Sequence, residues 1–215
     1  IDIIKDDHGL SNQSFSPFEE RVKLCSEAVR KANEITGGKS IYMPNITSPA
    51  HKVFERAKQA KRLGAGGLLI APGLTGLDAM RELSEDDSLA LPIISHPAFQ
   101  GSYVLGRGGI SHSVLFGEIN RLAGADGTIY PNFGGRFSFS REECKGIAES
   151  SKKELGNLKP IFPCPAGGMT LESVPESIKV YGNDVIFLIG GGLFKKGPDI
   201  IENCKYFKGL AESLS

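Results

Sequence analysis

A short stretch near the start of the chain, IIKDDHGL from Ile3 to Leu10, places four ionisable side chains directly after an apolar run. If the run is a strand, Lys5 and Asp7 project to one side and Asp6 to the other, while His8 follows where the chain turns. One interpretation is an ion pair between the lysine and a carboxylate. The other is a site at the strand end, where Lys5 takes up CO2 as a carbamate and, with Asp7, offers the oxygen ligands that Mg2+ prefers.

Two further charged or ionisable side chains follow apolar runs. His96 lies in ISHPAFQG, and Arg136 lies in PNFGGRFSF after two glycines. A histidine at a strand end is either structural or part of a site. Arg136 is either a solvated charge or a cation on a mobile loop that closes over an anionic intermediate.

Glycines follow the last two apolar runs. PCPAGGM contains Gly167 and Gly168, and LIGGGLF contains Gly190 and Gly191. Glycine allows backbone N–H groups to approach an anion closely, although it also serves simply to make a tight turn. Because both glycine groups follow consecutive strands, we favour binding of a phosphate group.

Seven short apolar runs must position these residues. Most are four to six residues long and lack the polar alternation of a half-exposed strand, so they indicate strands that are covered on both faces. They are Ile1–Ile4, Ser40–Asn45, Gly67–Pro72, Leu91–His96, Gly127–Pro131, Pro160–Pro163 and Asp184–Ile189. Amphipathic helical patterns separate them, which predicts an α/β fold with parallel strands.

Two parallel architectures fit this alternation, a doubly wound sheet and a (β/α)8 TIM barrel. Polar residues or glycines follow nearly every strand, and barrel active sites are built from these loops. A doubly wound sheet needs only two or three such loops at its crevice. We therefore predict the barrel, with seven of its eight βα units present.

Two helix starts are also predicted. In Ser16-Pro17-Phe18-Glu19, the serine is expected to cap the first helix, with the proline at its first position and Glu19 completing a capping box. Ser140, followed three residues later by Glu143, predicts a second capped start.

The overall composition restricts the partners. The chain has 215 residues with 25 basic and 25 acidic side chains, so no net field favours nucleic acid or an anionic membrane. Its four cysteines form no CxxC pair, and no run approaches the roughly 20 apolar residues of a membrane span. We expect a cytoplasmic protein that binds a small phosphorylated ligand.

Five motifs in order give the chain a resemblance to a known family. KDD, PNIT, LTG, AGGM and IGGG are similar to segments that follow successive barrel strands in the RuBisCO large-subunit superfamily, in particular the RuBisCO-like proteins. The resemblance implies that residues 1–215 are the C-terminal barrel domain. It also implies that an N-terminal α+β domain and the first barrel strand lie before Ile1, and that the full-length protein is a homodimer.

The resemblance also implies roles for the charged residues. Lys5 corresponds to a carbamylated lysine that binds Mg2+, Asp7 to a metal ligand, and His8 to a glutamate ligand that carboxylating RuBisCO has instead. His96 corresponds to an active-site histidine. Arg136 takes the place of the lysine that orients CO2 in carboxylases.

The remaining correspondences concern the substrate. Asn45 is a candidate substrate ligand, and Gly167, Gly168, Gly190 and Gly191 match the glycines that hold a phosphate. Pro97, however, replaces a phosphate-binding arginine, which weakens the second phosphate site of the family.

The family's shared chemistry is proton removal next to a carbonyl, with an enediolate stabilised by Mg2+. We therefore expect enolisation or decarboxylation of a phosphorylated sugar-derived ketone, such as an oxo-isoapionate phosphate or a diketo-methylthiopentyl phosphate. Ribulose-bisphosphate carboxylase is an alternative that His8, Pro97 and Arg136 disfavour. A barrel that binds a phosphorylated metabolite without catalysis is a third possibility.

Overall fold

The computed structural model describes residues 1–106, 108–135 and 137–213, which divide into two compact units. Unit 1 consists of Ile1–Leu105 with Leu122–Asp126, and unit 2 consists of Gly106–Arg121 with Gly127–Ser215. Arg136, one of the predicted site residues, lies outside the described residues. That residues 1–215 form one barrel domain stays a prediction.

Unit 1 contains four short strands and five helices. The strands are β1 (Ile3–Lys5), β2 (Ile41–Met43), β3 (Leu68–Ile70) and β4 (Ile93–Ser95). The helices are α1 (Phe18–Thr36), α2 (Ala50–Arg62), α3 (Pro72–Thr75), α4 (Leu77–Glu85) and α5 (Gly101–Val104). β1 pairs with β2 and β3 with β4, both in parallel, and a parallel bridge between Asn45 and Leu69 joins β2 to β3.

The core of unit 1 explains why the strand runs show no polar alternation. All three residues of β3 are buried. Strands β2, β3 and β4 pack in one cluster with α1, through Phe18 and Val22, and with α2, through Val53 and Ala57. In β1, by contrast, Ile4 is 43% exposed, so this strand is not covered on both faces as predicted. Because helices follow the strands in sequence and share their core, the carboxyl ends of the strands are left to the connecting loops.

Unit 2 contains two longer strands that pair in parallel, β5 (Gly127–Pro131) and β6 (Phe162–Ala166). Its helical segments are a π-helix (Ser113–Ile119) that continues into α6 (Asn120–Leu122), α7 (Arg141–Lys152), a 3-10 turn (Leu171–Ser173), α8 (Val174–Tyr181), α9 (Gly191–Phe194) and α10 (Ile200–Ser213). No helix in the described part of the chain is both long enough and apolar enough to cross a membrane.

The last apolar run, 184–189, differs from its prediction because it forms no regular strand. It lies beside β6, since the Ile186 N–H donates to the Pro163 carbonyl at 3.0 Å and the Leu188 N–H to the Pro165 carbonyl at 3.4 Å. In a regular parallel ladder, the Ile186 carbonyl accepts a bond in return from residue 165. Proline has no N–H, so this half of the ladder is missing.

The start of α1 also corrects its prediction. The helix begins at Phe18 without a side-chain cap from the preceding residue, and the Phe18 N–H donates instead to Asn12 Oδ1 at 2.8 Å. Ser16 is not the cap because its carbonyl and hydroxyl oxygens accept bonds from Arg21 Nη1. The cap therefore comes from a loop residue six positions earlier.

The capping box at the start of α7 is confirmed. The Glu143 N–H donates to Ser140 Oγ at 3.1 Å, and the Ser140 N–H donates to Glu143 Oε2 at 2.7 Å. We expect Ser140→Ala to lower the free energy of unfolding by about 1 kcal/mol, because it leaves a helix N–H without its acceptor. Urea unfolding of this variant beside Ser140→Asp, which keeps an acceptor oxygen, tests the role of the cap. Equal losses in both variants would contradict it.

Candidate active site

One candidate site lies in unit 1, where Lys5 ends β1 and Asp6, Asp7 and His8 follow. Lys5 is half-buried, and its Nζ donates to the Asp6 carbonyl at 2.9 Å. Burial lowers the pKa of Lys5, although the charges of Asp7 and Asp6 oppose this shift. The neutral amine is the form that reacts with CO2, so the environment favours the reactive form.

Asp7 is an exposed, ionised carboxylate. Its side chain is 67% exposed, Oδ1 accepts the Gly9 N–H at 2.7 Å, and Oδ2 lies 3.7 Å from His8 Nδ1. The backbone bond from Gly9 lowers the pKa of Asp7, and the nearby His8, Lys5 and His96 act in the same direction. Asp7 therefore presents an anionic oxygen at the end of β1.

His96 follows β4 and stacks on His8. The two rings are 4.6 Å apart between centroids and 13° from parallel. Burial, followed by the nearby His8 and Lys5, lowers the pKa of His96 to about 3. His96 Nδ1 accepts the Ala98 N–H at 3.1 Å, so the neutral ring carries its proton on Nε2. His96 is thus a neutral hydrogen-bond donor.

Asn45 follows β2, and its buried side chain holds the loop that carries His8. Its Nδ2 donates to the His8 carbonyl at 2.9 Å, and its Oδ1 accepts the Thr47 N–H at 3.0 Å. These bonds show how Asn45 supports the strand-end loop. Direct contact between Asn45 and a substrate stays a prediction.

A buried network below these residues was not predicted from the sequence. The Asp6 carboxylate accepts bonds from Arg21 Nε at 3.0 Å, from the Tyr42 hydroxyl and from the Asn45 N–H at 3.0 Å. One signal was available: strand alternation turns Asp6 away from Lys5 and Asp7, and a carboxylate on a buried face requires a cation. The sequence did not indicate which cation supplies it.

The donor atoms fit Mg2+ in part. Within the described ranges, no group of three His, Cys, Asp or Glu side chains is arranged to hold a metal ion. A carbamate on Lys5 would add an anionic oxygen donor beside Asp7, and these two are the hard ligands that Mg2+ prefers. His8 offers a nitrogen, which suits transition metals better. Lys5 and Asp7 therefore fit the ion, and the role of His8 stays a prediction.

A separate candidate site, for a phosphate, lies in unit 2, where the two glycine loops are in contact. Gly167 and Gly168 have positive φ angles of 77° and 97°, which favour glycine. A Cβ on Gly192 would lie only 2.6 Å from the Met169 carbonyl oxygen, so the loops after β6 and after residues 184–189 are packed together. A Cβ on Gly190 or Gly191 would meet nothing within 4 Å, so the space beside these two is open.

The loop after β5 also reaches the glycines. A Cβ on Gly135 would lie 2.1 Å from the Gly167 carbonyl oxygen, and the ring of Phe137 would lie 3.3 Å from a Cβ on Gly167. This loop carries Arg136, whose side chain is not described. The contact of Phe137 with Gly167 could not be predicted from the sequence, because no spacing rule relates an aromatic residue on one loop to a glycine on the next.

Comparisons with known proteins identify the family. The family model of the ribulose bisphosphate carboxylase large chain, catalytic domain, matches residues 1–198. The chain is 36% identical over 207 residues to the 5-methylthioribulose-1-phosphate isomerase of Rhodospirillum rubrum, covering 96% of this chain and 54% of that protein. It is 34% identical over 215 residues to the 2,3-diketo-5-methylthiopentyl-1-phosphate enolase of Bacillus pumilus, covering 100% and 53% respectively.

A structural comparison gives the same result. The RuBisCO-like protein from Rhodopseudomonas palustris superposes with a TM-score of 0.88 and 34% identity, over 99% of this chain and 56% of that one. The chain thus spans about half the length of the relatives it matches. The predicted fold class, a RuBisCO-type (β/α)8 barrel, is confirmed by the family match and this superposition.

Proposed function

Since the chain belongs to the RuBisCO large-chain family, we propose that it removes a proton next to the carbonyl of a phosphorylated sugar-derived ketone, as the first step of an enolisation or decarboxylation. One observation carries this proposal. Lys5 and Asp7 at the end of β1 lie beside the stacked rings of His8 and His96, which joins a reactive amine, a carboxylate and a neutral donor in one place.

Lys5 begins the reaction sequence as a neutral amine. Its nitrogen forms a bond to the carbon of CO2 and loses a proton to solvent, which leaves a carbamate whose single negative charge is shared by two oxygens. One oxygen of the carbamate would accept the proton that is removed from the substrate. The carbamate and Asp7 would hold Mg2+, which when bound would polarise the substrate carbonyl and stabilise negative charge on its oxygen. Without CO2, Lys5 is an amine donor and offers Asp7 no second anionic oxygen for a shared cation.

His96 would orient the substrate as a neutral hydrogen-bond donor. Its Nδ1 is occupied by the Ala98 N–H, so its Nε2 donates a hydrogen bond to an oxygen of the substrate. Because the pKa of His96 lies far below neutral pH, the ring remains a neutral donor and adds no positive charge beside Lys5.

The open glycine loops of unit 2 are the proposed phosphate site. Gly190 and Gly191 have free space beside their Cα atoms, and Gly167 and Gly168 expose backbone in conformations that other residues rarely adopt. Backbone N–H groups in such loops bind anions. We also propose Arg136 as the cation that covers the bound intermediate.

The names of two relatives and the family resemblance suggest the first substrates to test. The purified full-length protein is incubated in D2O with Mg2+ and 2,3-diketo-5-methylthiopentyl 1-phosphate, 5-methylthioribulose 1-phosphate or an oxo-isoapionate phosphate. We expect enzyme-dependent deuterium incorporation next to the carbonyl of one of them, detected by NMR and abolished by a chelator. The chelator's effect on binding is measured separately by calorimetry.

Two other outcomes decide between the alternatives. Tight binding of a phosphorylated compound without deuterium exchange would favour a binding protein over an enzyme. Enzyme-dependent incorporation of radiolabelled CO2 into ribulose bisphosphate would favour a carboxylase. Either result would overturn the proposed reaction.

A further inference from the structure

Asp6 lies between Lys5 and Asp7 in the chain, but its carboxylate points away from both. Its side chain is buried, with the whole residue 6% exposed, and it accepts bonds from three separate elements. Arg21 comes from α1, the Tyr42 hydroxyl from β2, and the Asn45 N–H from the loop after β2. A carboxylate held from three directions fixes the backbone of its own residue.

Arg21 extends the same network to the loop that follows the site. Its Nε binds Asp6, its Nη1 donates to the Ser16 carbonyl at 2.8 Å, and its Nη2 donates to the Ser11 carbonyl at 2.8 Å. One guanidinium therefore binds the carboxylate and both ends of residues 11–16. Since Arg21 is itself buried, removing either partner leaves an unpaired charge in the interior.

Two hydrogen bonds connect this network to the site residues Lys5 and His8. The Asp6 carbonyl accepts the Lys5 Nζ, which ties the amine to the same peptide that the buried carboxylate anchors. Asn45, whose N–H binds the Asp6 carboxylate, uses its side chain to hold the His8 carbonyl. The position of Asp6 thus sets the positions of Lys5 on one side and His8 on the other.

We propose that Asp6, Arg21 and Tyr42 are positioning residues that set the geometry of Lys5, Asp7 and His8 through hydrogen bonds from the buried side of β1. All three residues are buried. Only the expected effect of these three residues on turnover rests on the proposed function. Their expected effect on the His8–His96 ring stack does not depend on any reaction.

The ring stack provides a direct measurement. The given sequence contains four histidines. Ring-proton NMR signals from His8 and His96, assigned by single substitution, are compared with those of His51 and His112, which serve as internal references. Tyr42→Phe removes the hydroxyl that binds Asp6 and keeps the buried ring. We expect the His8 and His96 signals to shift or broaden in this variant, while those of His51 and His112 stay in place.

Turnover provides the second measurement. If the site geometry loosens, we expect kcat of Tyr42→Phe to fall roughly tenfold to hundredfold, with KM changed by less than about twofold because the proposed phosphate loops are untouched. Asp6→Asn, which leaves Arg21 without its anion, should show the larger effect. Where Asp6→Asn does not fold, Tyr42→Phe decides the question alone.

A matched control separates positioning from general loss of stability. Asp126 Oδ2 accepts the Ile93 N–H at 2.8 Å at the amino end of β4, away from the strand ends that carry the site. Asp126→Ala should destabilise unit 1 without moving the His8 and His96 signals or kcat. Equal shifts in Asp126→Ala, or unchanged histidine signals in Tyr42→Phe, would overturn the proposal. Shifted signals in a protein without detectable turnover would support positioning and count against the proposed function.

Discussion

Replacement of Lys5 by methionine is expected to lower turnover by about 10²- to 10⁴-fold, the range for loss of a positioned acid–base group. Methionine has a similar length but can neither react with CO2 nor bind a cation through oxygen. The fold should survive, since the amine's hydrogen bond among the described residues is to the neighbouring carbonyl of Asp6. Steady-state kinetics and thermal unfolding of the same preparation test both expectations.

Two further variants distinguish a carbamate from an ion pair. Lys5→Arg keeps the positive charge beside Asp7 but cannot form the carbamate, so we expect it to be as inactive as Lys5→Met. Lys23→Met removes an exposed lysine of α1 and should leave turnover unchanged. Activity within severalfold of the parent in Lys5→Arg would show that Lys5 is only a salt-bridge partner.

The pH dependence of activation follows from the environment of Lys5. Because burial lowers its pKa, a larger fraction of Lys5 is neutral at a given pH than for an ordinary lysine with a pKa of about 10.4. Activation by CO2 should therefore rise with pH and begin at a lower pH than an exposed lysine permits. A carbamate signal from 13C-labelled CO2 that is present in the parent and absent in Lys5→Met would confirm the site of reaction.

The positions of the strand ends could be predicted from the sequence because a strand buried on both faces leaves a continuous apolar run. Gly127–Pro131 was predicted with the bounds that β5 has. The run at Pro160–Pro163 was placed too early, since β6 spans Phe162–Ala166. Pro163 and Pro165 lie inside β6 and made its bounds hard to predict. Proline cannot donate a backbone hydrogen bond to a neighbouring strand, so its presence in a sequence argues against a strand.

The contacts among site residues could be predicted only in part. Because Lys5, Asp7 and His96 follow strands, their placement on the same side of unit 1 could be predicted. The stack of His8 on His96 could not, because it depends on the conformations of two loops that are 88 residues apart in the chain. The buried network required partners for Asp6 at distances of 15 and 36 residues in the chain. No local pattern specifies such pairs, because tertiary packing decides which cation and which hydroxyl reach a buried carboxylate.

Gly191→Asp is the second variant with a large expected effect. Its side chain would enter the open space beside Gly191 and bring bulk and a negative charge next to the proposed phosphate site. We expect substrate binding to weaken by about 2 kcal/mol or more, the scale of a lost charge-assisted hydrogen bond. The fold should tolerate the change, since a Cβ at this position meets nothing within 4 Å.

Inorganic phosphate provides the readout that does not depend on the identity of the substrate. Calorimetry should show phosphate or sulfate binding to the parent and to Gly191→Ala, and much weaker binding to Gly191→Asp. Gly192→Ala is the contrasting variant: its Cβ would lie 2.6 Å from the Met169 carbonyl, so it should lower the melting temperature by forcing the two loops apart. Equal phosphate affinity in the parent and in folded Gly191→Asp would place the anion elsewhere and make Arg136 the next residue to replace.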